Sequence, residues 1–410
     1  MTIQGVNGEP VAVTPKAVPW SARSVRDANA RAVLDHIWSA EDAQDADDES
    51  PAVTATDLIG ATGLSRATVH DVCDELLGAG WLDEQRTPEP GRGQGRPPRR
   101  YRLAASAGIV VGVDAGEHRV AAHVVDLRGR PVAPAVSVRR RPLDAEDRVR
   151  IVAECVERAL APVPLSPLAV AVGVPAPVGE DSRTAFRGNS YWEVMNPHLA
   201  ERLAERGWRT VVDNDANLAA LAEHWTGHAR GSRHSVTLLA GERFGAGVLE
   251  GGRVLRGAHG GVGEMRVLDI VAGVGRPDGI AKVLREELVA AGRRDPDVEA
   301  VLRAAAAGDP DALAATAGVA DRLSRVLATL TSLFDTDLVI VAGAVAGSAT
   351  SVVERAAENL SRFLDPPLPR VVTSDLGPDV VALGAVKRAL DLVRAHALQL
   401  RLSPPRVTTG

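Results

Sequence analysis

The sequence predicts an α/β protein with two lobes in its main body, preceded by a small, mostly helical head. Three observations lead there. From Gly108 onward, short Val/Ile-rich runs alternate with helical segments, the texture of a mixed or parallel sheet flanked by helices. Ahead of that point the apolar residues keep helical spacing. Between the two lies a stretch, 86–102, dominated by Arg, Gly and Pro, where the composition shifts abruptly. A chain of 410 residues, 45% hydrophobic and 24% charged, is long enough for two to four domains with ordinary globular cores.

Residues 1–20 lack periodicity and read as a disordered tail. The head is expected over 21–105. Its first helix begins near Arg23, with Val25, Val33, Leu34, Ile37 and Trp38 on one face. The run 40–50 is dense in carboxylates and has no large apolar group, so it reads as a solvated loop. Over 53–84 two helices follow, the first capped by Thr54 or Thr56, with Leu58 and Ile59 facing inward. Gly63 falls where a tight turn needs positive φ, and Ser65 can cap the next helix. Val69, Val72, Cys73 and Leu76 then point inward at i, i+3, i+4 and i+7. This is helix–turn–helix spacing, which presents the second helix to the DNA major groove. Ser65, Arg66, Thr68 and His70 are the outward candidates: Arg66 for guanine or phosphate, Ser65 and Thr68 for phosphate or either base.

The run 86–102 holds six arginines against one carboxylate, Glu89, and its Gly and Pro content makes it extended. It reads as a β-hairpin wing, with Arg92, Arg96, Arg99 and Arg100 as candidate DNA contacts. Gly95-Arg96-Pro97 resembles the core of minor-groove AT-hook segments, where a flat Arg enters a narrow A·T groove. A winged helix-turn-helix bound to a double-stranded DNA operator is therefore the expectation. The net charge of -6 does not oppose it, because the basic residues are local.

In the body, strands are expected at 109–114, 120–127, 168–175, 235–240, 245–251 and 338–343, and helices near 144–162, 215–229 and 349–363. Lobe 1 is expected over 106–225, joined by a C-terminal helix at 380–400, and lobe 2 over 226–379. No apolar run reaches the roughly 18–20 residues of a membrane span, and the N-terminus shows no signal-peptide pattern, so no membrane partner and a cytoplasmic location are expected. The two cysteines, Cys73 and Cys155, are far apart and form neither a disulfide framework nor a CxxC pattern.

Six segments carry a resemblance: RSVRDANARAVLDHI near the start, GVDAGEHRV (112–120), GVPAPV (173–178), GNSYW (188–192), DNDANLAALAEHW (213–225) and LRGAHGGVGEMRVL (255–268). In this order they resemble the ROK family of repressors, uncharacterised reading frames and sugar kinases, over roughly 20–400. The resemblance implies a two-lobed actin-like (ribonuclease H-like) ATPase/sugar-kinase fold, with sugar and ATP meeting in the cleft, and a homodimer or homotetramer. In the family's kinases the Asp matching Asp215 is the general base toward the sugar hydroxyl. Residues matching Asn189, Asn214 and Glu264 bind sugar hydroxyls.

The departures are informative. The first phosphate loop, Asp-x-Gly-Gly-Thr-Lys in the kinases, reads Asp114-Ala115-Gly116-Glu117-His118-Arg119 here, and the second reads Gly241-Glu242-Arg243-Phe244-Gly245. Each places a carboxylate where phosphate belongs. The family's zinc cluster lacks its ligands: Val267 stands at the His position and 269–283 has no Cys. A second sugar-binding Glu is replaced by Ala281 or Lys282, and the adenosine-side Gly-Gly-Gly reads Ala342-Gly343-Ala344. The expectation is thus a repressor with a non-catalytic effector domain and no catalytic residue, cofactor or metal. Asn189, Asn214, Asp215 and Glu264 would bind a sugar or sugar phosphate. A sugar kinase carrying a DNA-binding head and an effector-independent dimeric DNA-binding protein are the alternatives.

Overall fold

The computed structural model describes residues 3–4, 10–11, 22–42, 52–85, 98–186 and 188–400. The chain divides into two compact units, residues 1–41 with 50–102, and 42–49 with 103–410. In the first, β1 (Ile3–Gln4) pairs antiparallel with β2 (Pro10–Val11). These are the only described residues of the expected tail. Helix α1 (Ala22–Asp42) is followed by β3 (Val53–Thr54), α2 (Ala55–Thr62), α3 (Arg66–Gly78), β4 (Leu82–Gln85) and β5 (Arg100–Leu103). The three strands form one small sheet in the order β3-β5-β4.

Helix starts and stops follow local chemistry. Thr54 and Asp57 form a reciprocal capping box on α2, and Gly63 ends that helix at φ +67°. Val33, Leu34, Ile37 and Trp38 of α1 are buried together with Leu58, Val69, Val72, Cys73 and Leu76, and Trp38 lies 6.3 Å from Trp81 between ring centroids. Two expectations need correction. Val25 is 43% exposed, since the buried stripe of α1 begins one turn later, at Ala30. Residues 40–42 are helical, because α1 runs to Asp42 before the acidic run leaves the described residues.

The second unit contains two lobes of one topology. Lobe 1 comprises β6 (Ile109–Ala115), β7 (Arg119–Asp126), β8 (Val136–Arg139), α4 (Ala145–Leu160), β9 (Pro167–Val174), α5 (Ser190–Met195), α6 (Leu199–Ala204), β10 (Thr210–Asn214) and α7 (Asp215–Thr226). Lobe 2 comprises β11 (Ser235–Leu239), β12 (Gly245–Glu250), β13 (Arg253–Val254), α8 (Ile280–Ala290), α9 (Val298–Ala306), α10 (Pro310–Phe334), β14 (Leu338–Ala342), α11 (Thr350–Glu358) and β15 (Arg370–Thr373), and the chain closes with α12 (Val380–His396). The sheets are ordered β10-β9-β6-β7-β8 and β13-β12-β11-β14-β15. In each, an antiparallel meander supplies the first three strands and helical crossovers supply two parallel ones. The middle strands are covered on both faces, which is why β6 and β14 read as nearly unbroken Val/Ile runs.

Helix α7 sits where the lobes meet. Gly247 of β12 lets that strand approach α7 so closely that a Cβ would lie 2.0 Å from the Ala216 carbonyl oxygen. On the other side α12 crosses at Gly384, where a Cβ would lie 1.8 Å from the Leu218 oxygen. Neither neighbour is a movable side chain. Gly384→Ala must force the helices apart and should cost about 1–3 kcal/mol in urea unfolding followed by circular dichroism. Gly347→Ala, with nothing within 4 Å, should stay within about 0.5 kcal/mol of the parent.

Candidate functional site

Two surfaces gather the residues singled out from sequence. On the first unit, Ser65 is the N-cap of α3: its side chain accepts from the Thr68 N–H at 3.2 Å, and the two hydroxyls are 2.9 Å apart. Arg66, the first residue of α3, is exposed, and His70 one turn on is half-buried. Arg99 is committed elsewhere. Its guanidinium reaches Asp74 at 2.7 Å and Glu84 at 2.9 Å and lies 5.3 Å from the Tyr101 ring centroid, fastening β5 to α3 and β4. Arg100 is half-buried on β5, while Arg92 and Arg96 lie outside the described residues.

The cleft of the second unit is built around the N-terminus of α7. Asn214 caps that helix: its Oδ1 accepts from Asn217 N–H at 3.1 Å, and its Nδ2 donates to the Ala176 carbonyl at 3.1 Å. Its amide thus ties α7 to the 173–178 turn. Asp215 follows at the first helical position, its Oδ1 accepting from Ala216 N–H at 2.8 Å. Asp114, near the end of β6, and Glu264 face the same space. Burial pushes the Asp215 carboxyl up to about 7, reinforced by the charges of Asp114 and Glu264. Burial likewise raises Asp114 to about 6, with Arg119 and Arg148 opposing, and raises Glu264 against the pull of Arg243. Glu264 reaches the cleft because Gly263, at φ +85°, lies where a Cβ would be 1.7 Å from the Ala246 oxygen. Asn189 caps α5, its Oδ1 accepting from Tyr191 N–H at 3.1 Å and Trp192 N–H at 3.4 Å. Its Nδ2 is the donor it can offer a ligand.

The two loops that correspond to phosphate loops are held by side-chain ion pairs. Glu117 pairs with Arg141 at 3.0 Å and accepts from the Tyr191 hydroxyl at 3.4 Å. Glu242 is gripped by Arg285 at 2.7 and 3.0 Å. Arg243 of lobe 2 lies 5.7 Å from the Tyr191 ring centroid of lobe 1, so a cation–π contact spans the cleft. Arg119 joins Asp379 at 2.8 Å and stands 3.9 Å from Asp114.

Sequence reasoning missed two further groups of arginines. Arg148 of α4 is 0% exposed and donates to the carbonyls of Ala115, Gly116 (2.7 Å) and Met195 (3.3 Å), pinning the first loop from below. A signal existed, since Arg148 shares the helical stripe of Val152, Cys155 and Ala159, all buried. Arg322 of α10 donates to the carbonyls of Val274 (2.8 Å), Asp278 (2.6 Å) and Arg276, and Arg325 to that of Ala272 (3.3 Å). These bonds hold the cysteine-free segment. Among the described residues no group of three or more His, Cys, Asp or Glu is placed to bind a metal.

Two lobes of one strand order, meeting at a cleft lined with carboxylates, define an α/β protein of the sugar-kinase-like class. The ROK family profile matches residues 110–266. A xylose repressor of Caldicellulosiruptor bescii is 25% identical over 221 residues, 52% of this chain, and the match spans only 54% of that repressor's length. A ROK hexokinase of Thermus thermophilus is 31% identical with a TM-score of 0.57, covering 70% of this chain and 99% of that one. A ROK family transcriptional regulator, a homologue of the E. coli MLC protein, shares the fold with a TM-score of 0.68 at 20% identity, covering 89% of this chain and 96% of that one. The chain belongs to the ROK family. No described helix is long and apolar enough to cross a membrane.

The raised Asp215 carboxyl makes a stability prediction with a definite sign. Between about pH 4 and 7 the folded state keeps a proton that the unfolded chain releases, so stability falls as pH rises through that window and levels off above it. Asp215→Asn removes the ionisation and can still accept from Ala216. Its thermal midpoint should exceed the parent's by roughly 2–5 °C at pH 8, and the gain should vanish near pH 4. A gain that is constant with pH would show that the carboxyl is not held protonated.

Proposed function

We propose that the protein is a DNA-binding transcriptional repressor whose second unit senses a small hydroxyl-bearing molecule instead of phosphorylating it. The observation that carries this reading is the first unit: a capped second helix with Arg66 exposed at its start, beside strands whose connection, 86–97, carries Arg86, Arg92 and Arg96. These features support reading the first unit as a winged helix-turn-helix. Membership of a family that includes repressors supports it. Within this reading Arg66 and the 86–97 arginines contact DNA, and Arg100 flanks them. Arg99 positions the wing through Asp74 and Glu84. The hydroxyls of Ser65 and Thr68 order the helix start, where the N–H groups themselves attract phosphate.

The carboxylates Glu117 and Glu242, already paired with Arg141 and Arg285, speak against nucleotide phosphates in the cleft. One observation favours the kinase alternative: Asp215 stands at the general-base position with its carboxyl near 7, a value suited to proton abstraction. Turnover of glucose and ATP in a coupled assay would establish that alternative. In a symmetric dimer, two heads would read half-sites about 34–36 Å apart or a multiple of it.

Fluorescence anisotropy with the chain's own promoter region against random DNA, at fixed salt, tests the proposal. Preference should be at least about a thousandfold. Arg66→Ala should weaken specific binding by about 1–3 kcal/mol and relax one base position, whereas Arg96→Ala should act mainly on A·T-rich flanks. Binding that only fades with salt, without preference, would remove the repressor reading.

A further inference from the structure

Three aromatic side chains from separate segments meet at the rim of the cleft. Phe186, in the loop after β9, has its ring centroid 5.7 Å from that of Trp192 in α5, tilted by 57°. It also stands 6.5 Å from His259, nearly edge-on at 86°. His259 belongs to the 255–264 loop of lobe 2, so the cluster draws on both lobes. Its outer face is open: Phe186 remains 39% exposed and His259 is exposed.

The cluster is one bond away from the hydrogen-bonding groups of the cleft. Trp192 donates its backbone N–H to Asn189 Oδ1 at 3.4 Å. Phe186 lies over Gly261, where a Cβ would come within 3.0 Å of its ring, and the Gly261 carbonyl accepts from Glu264 N–H at 3.3 Å. Hydroxyl-binding groups and an open aromatic face therefore adjoin. Sugar C–H faces and aryl groups both rest well on such rings. A phosphate brought beside Asp114, Asp215 and Glu264 would add negative charge to a cluster of acids that burial and mutual repulsion already disfavour as anions.

We propose that this rim is an aglycone subsite: the effector is an uncharged glycoside whose hydroxyls meet Asn189, Asp215 and Glu264 while an apolar, preferably aromatic substituent rests on Phe186, Trp192 and His259. The inference rests on the reading of the cleft as a hydroxyl-binding sensor and adds the class of molecule. Of the sugar and sugar phosphate that the cleft residues could bind, it favours a neutral sugar derivative.

Calorimetric titration of the full chain with p-nitrophenyl and methyl β-D-glucopyranosides, the matching xylopyranosides and p-nitrophenol alone tests it. Nitrophenyl glycosides should bind about tenfold tighter than methyl glycosides. Phe186→Ala should bring them down to the methyl glycosides' affinity, His259→Ala should shrink the gap, and Glu264→Gln should weaken both classes. Equal binding of nitrophenyl and methyl glycosides overturns the subsite and leaves the hydroxyl cleft standing. Binding of p-nitrophenol as tight as its glycoside overturns it as non-specific apolar contact. Absence of binding by every glycoside overturns the subsite and the sensor reading together.

Discussion

The close approach of α7 to its two neighbours is the constraint on which the second unit depends. Strand β12 comes in over Gly247 and helix α12 over Gly384, both against backbone carbonyls of the first turns of α7. With α7 clamped there, its N-terminus has one place to go, and Asn214 and Asp215 are delivered to the cleft with it. The 173–178 turn is positioned by the same helix through the Asn214 amide. A rigid element held by backbone contact keeps polar groups in place more reliably than a loop does.

Electrostatics in the cleft follow a second pattern. Carboxylates and arginines alternate from one loop to the next: Glu117 with Arg141, Glu242 with Arg285, Arg119 with Asp379 and Asp114. Arg243 extends the pattern across the lobes to Tyr191. Charges that nucleotide phosphates and their counter-ions would otherwise supply are present as side chains. Contact between the lobes is therefore made in part by this chain's own side chains.

Asp215 and Glu264 stand apart from this pairing, and Asp114 joins it only through Arg119 at 3.9 Å. Burial raises all three, so each is retained at a cost to stability near neutral pH. Desolvated carboxyls that converge in a cleft are the usual mark of a functional site. Arg148 and Arg322 act differently, since both donate to backbone carbonyls and shape loops from beneath.

Local chemistry was legible in the sequence. The Thr54 and Ser65 caps, the Gly63 turn, the inward stripe Val69-Val72-Cys73-Leu76 and the Val/Ile strands all depend on residues within one or two turns of each other. The candidate residues Asn189, Asn214, Asp215 and Glu264 could be named from their motifs. Their partners could not: the sequence places Arg99 in the basic run, but nothing in it shows that its guanidinium meets Asp74, 25 residues away. The shared strand order of the two lobes, the arginines beneath the loops and the Phe186–Trp192–His259 rim were decided by tertiary structure alone. The reason is physical: period and capping are set by neighbours in sequence, whereas ion pairing, burial and ring contact are set by whichever distant segment packing brings alongside.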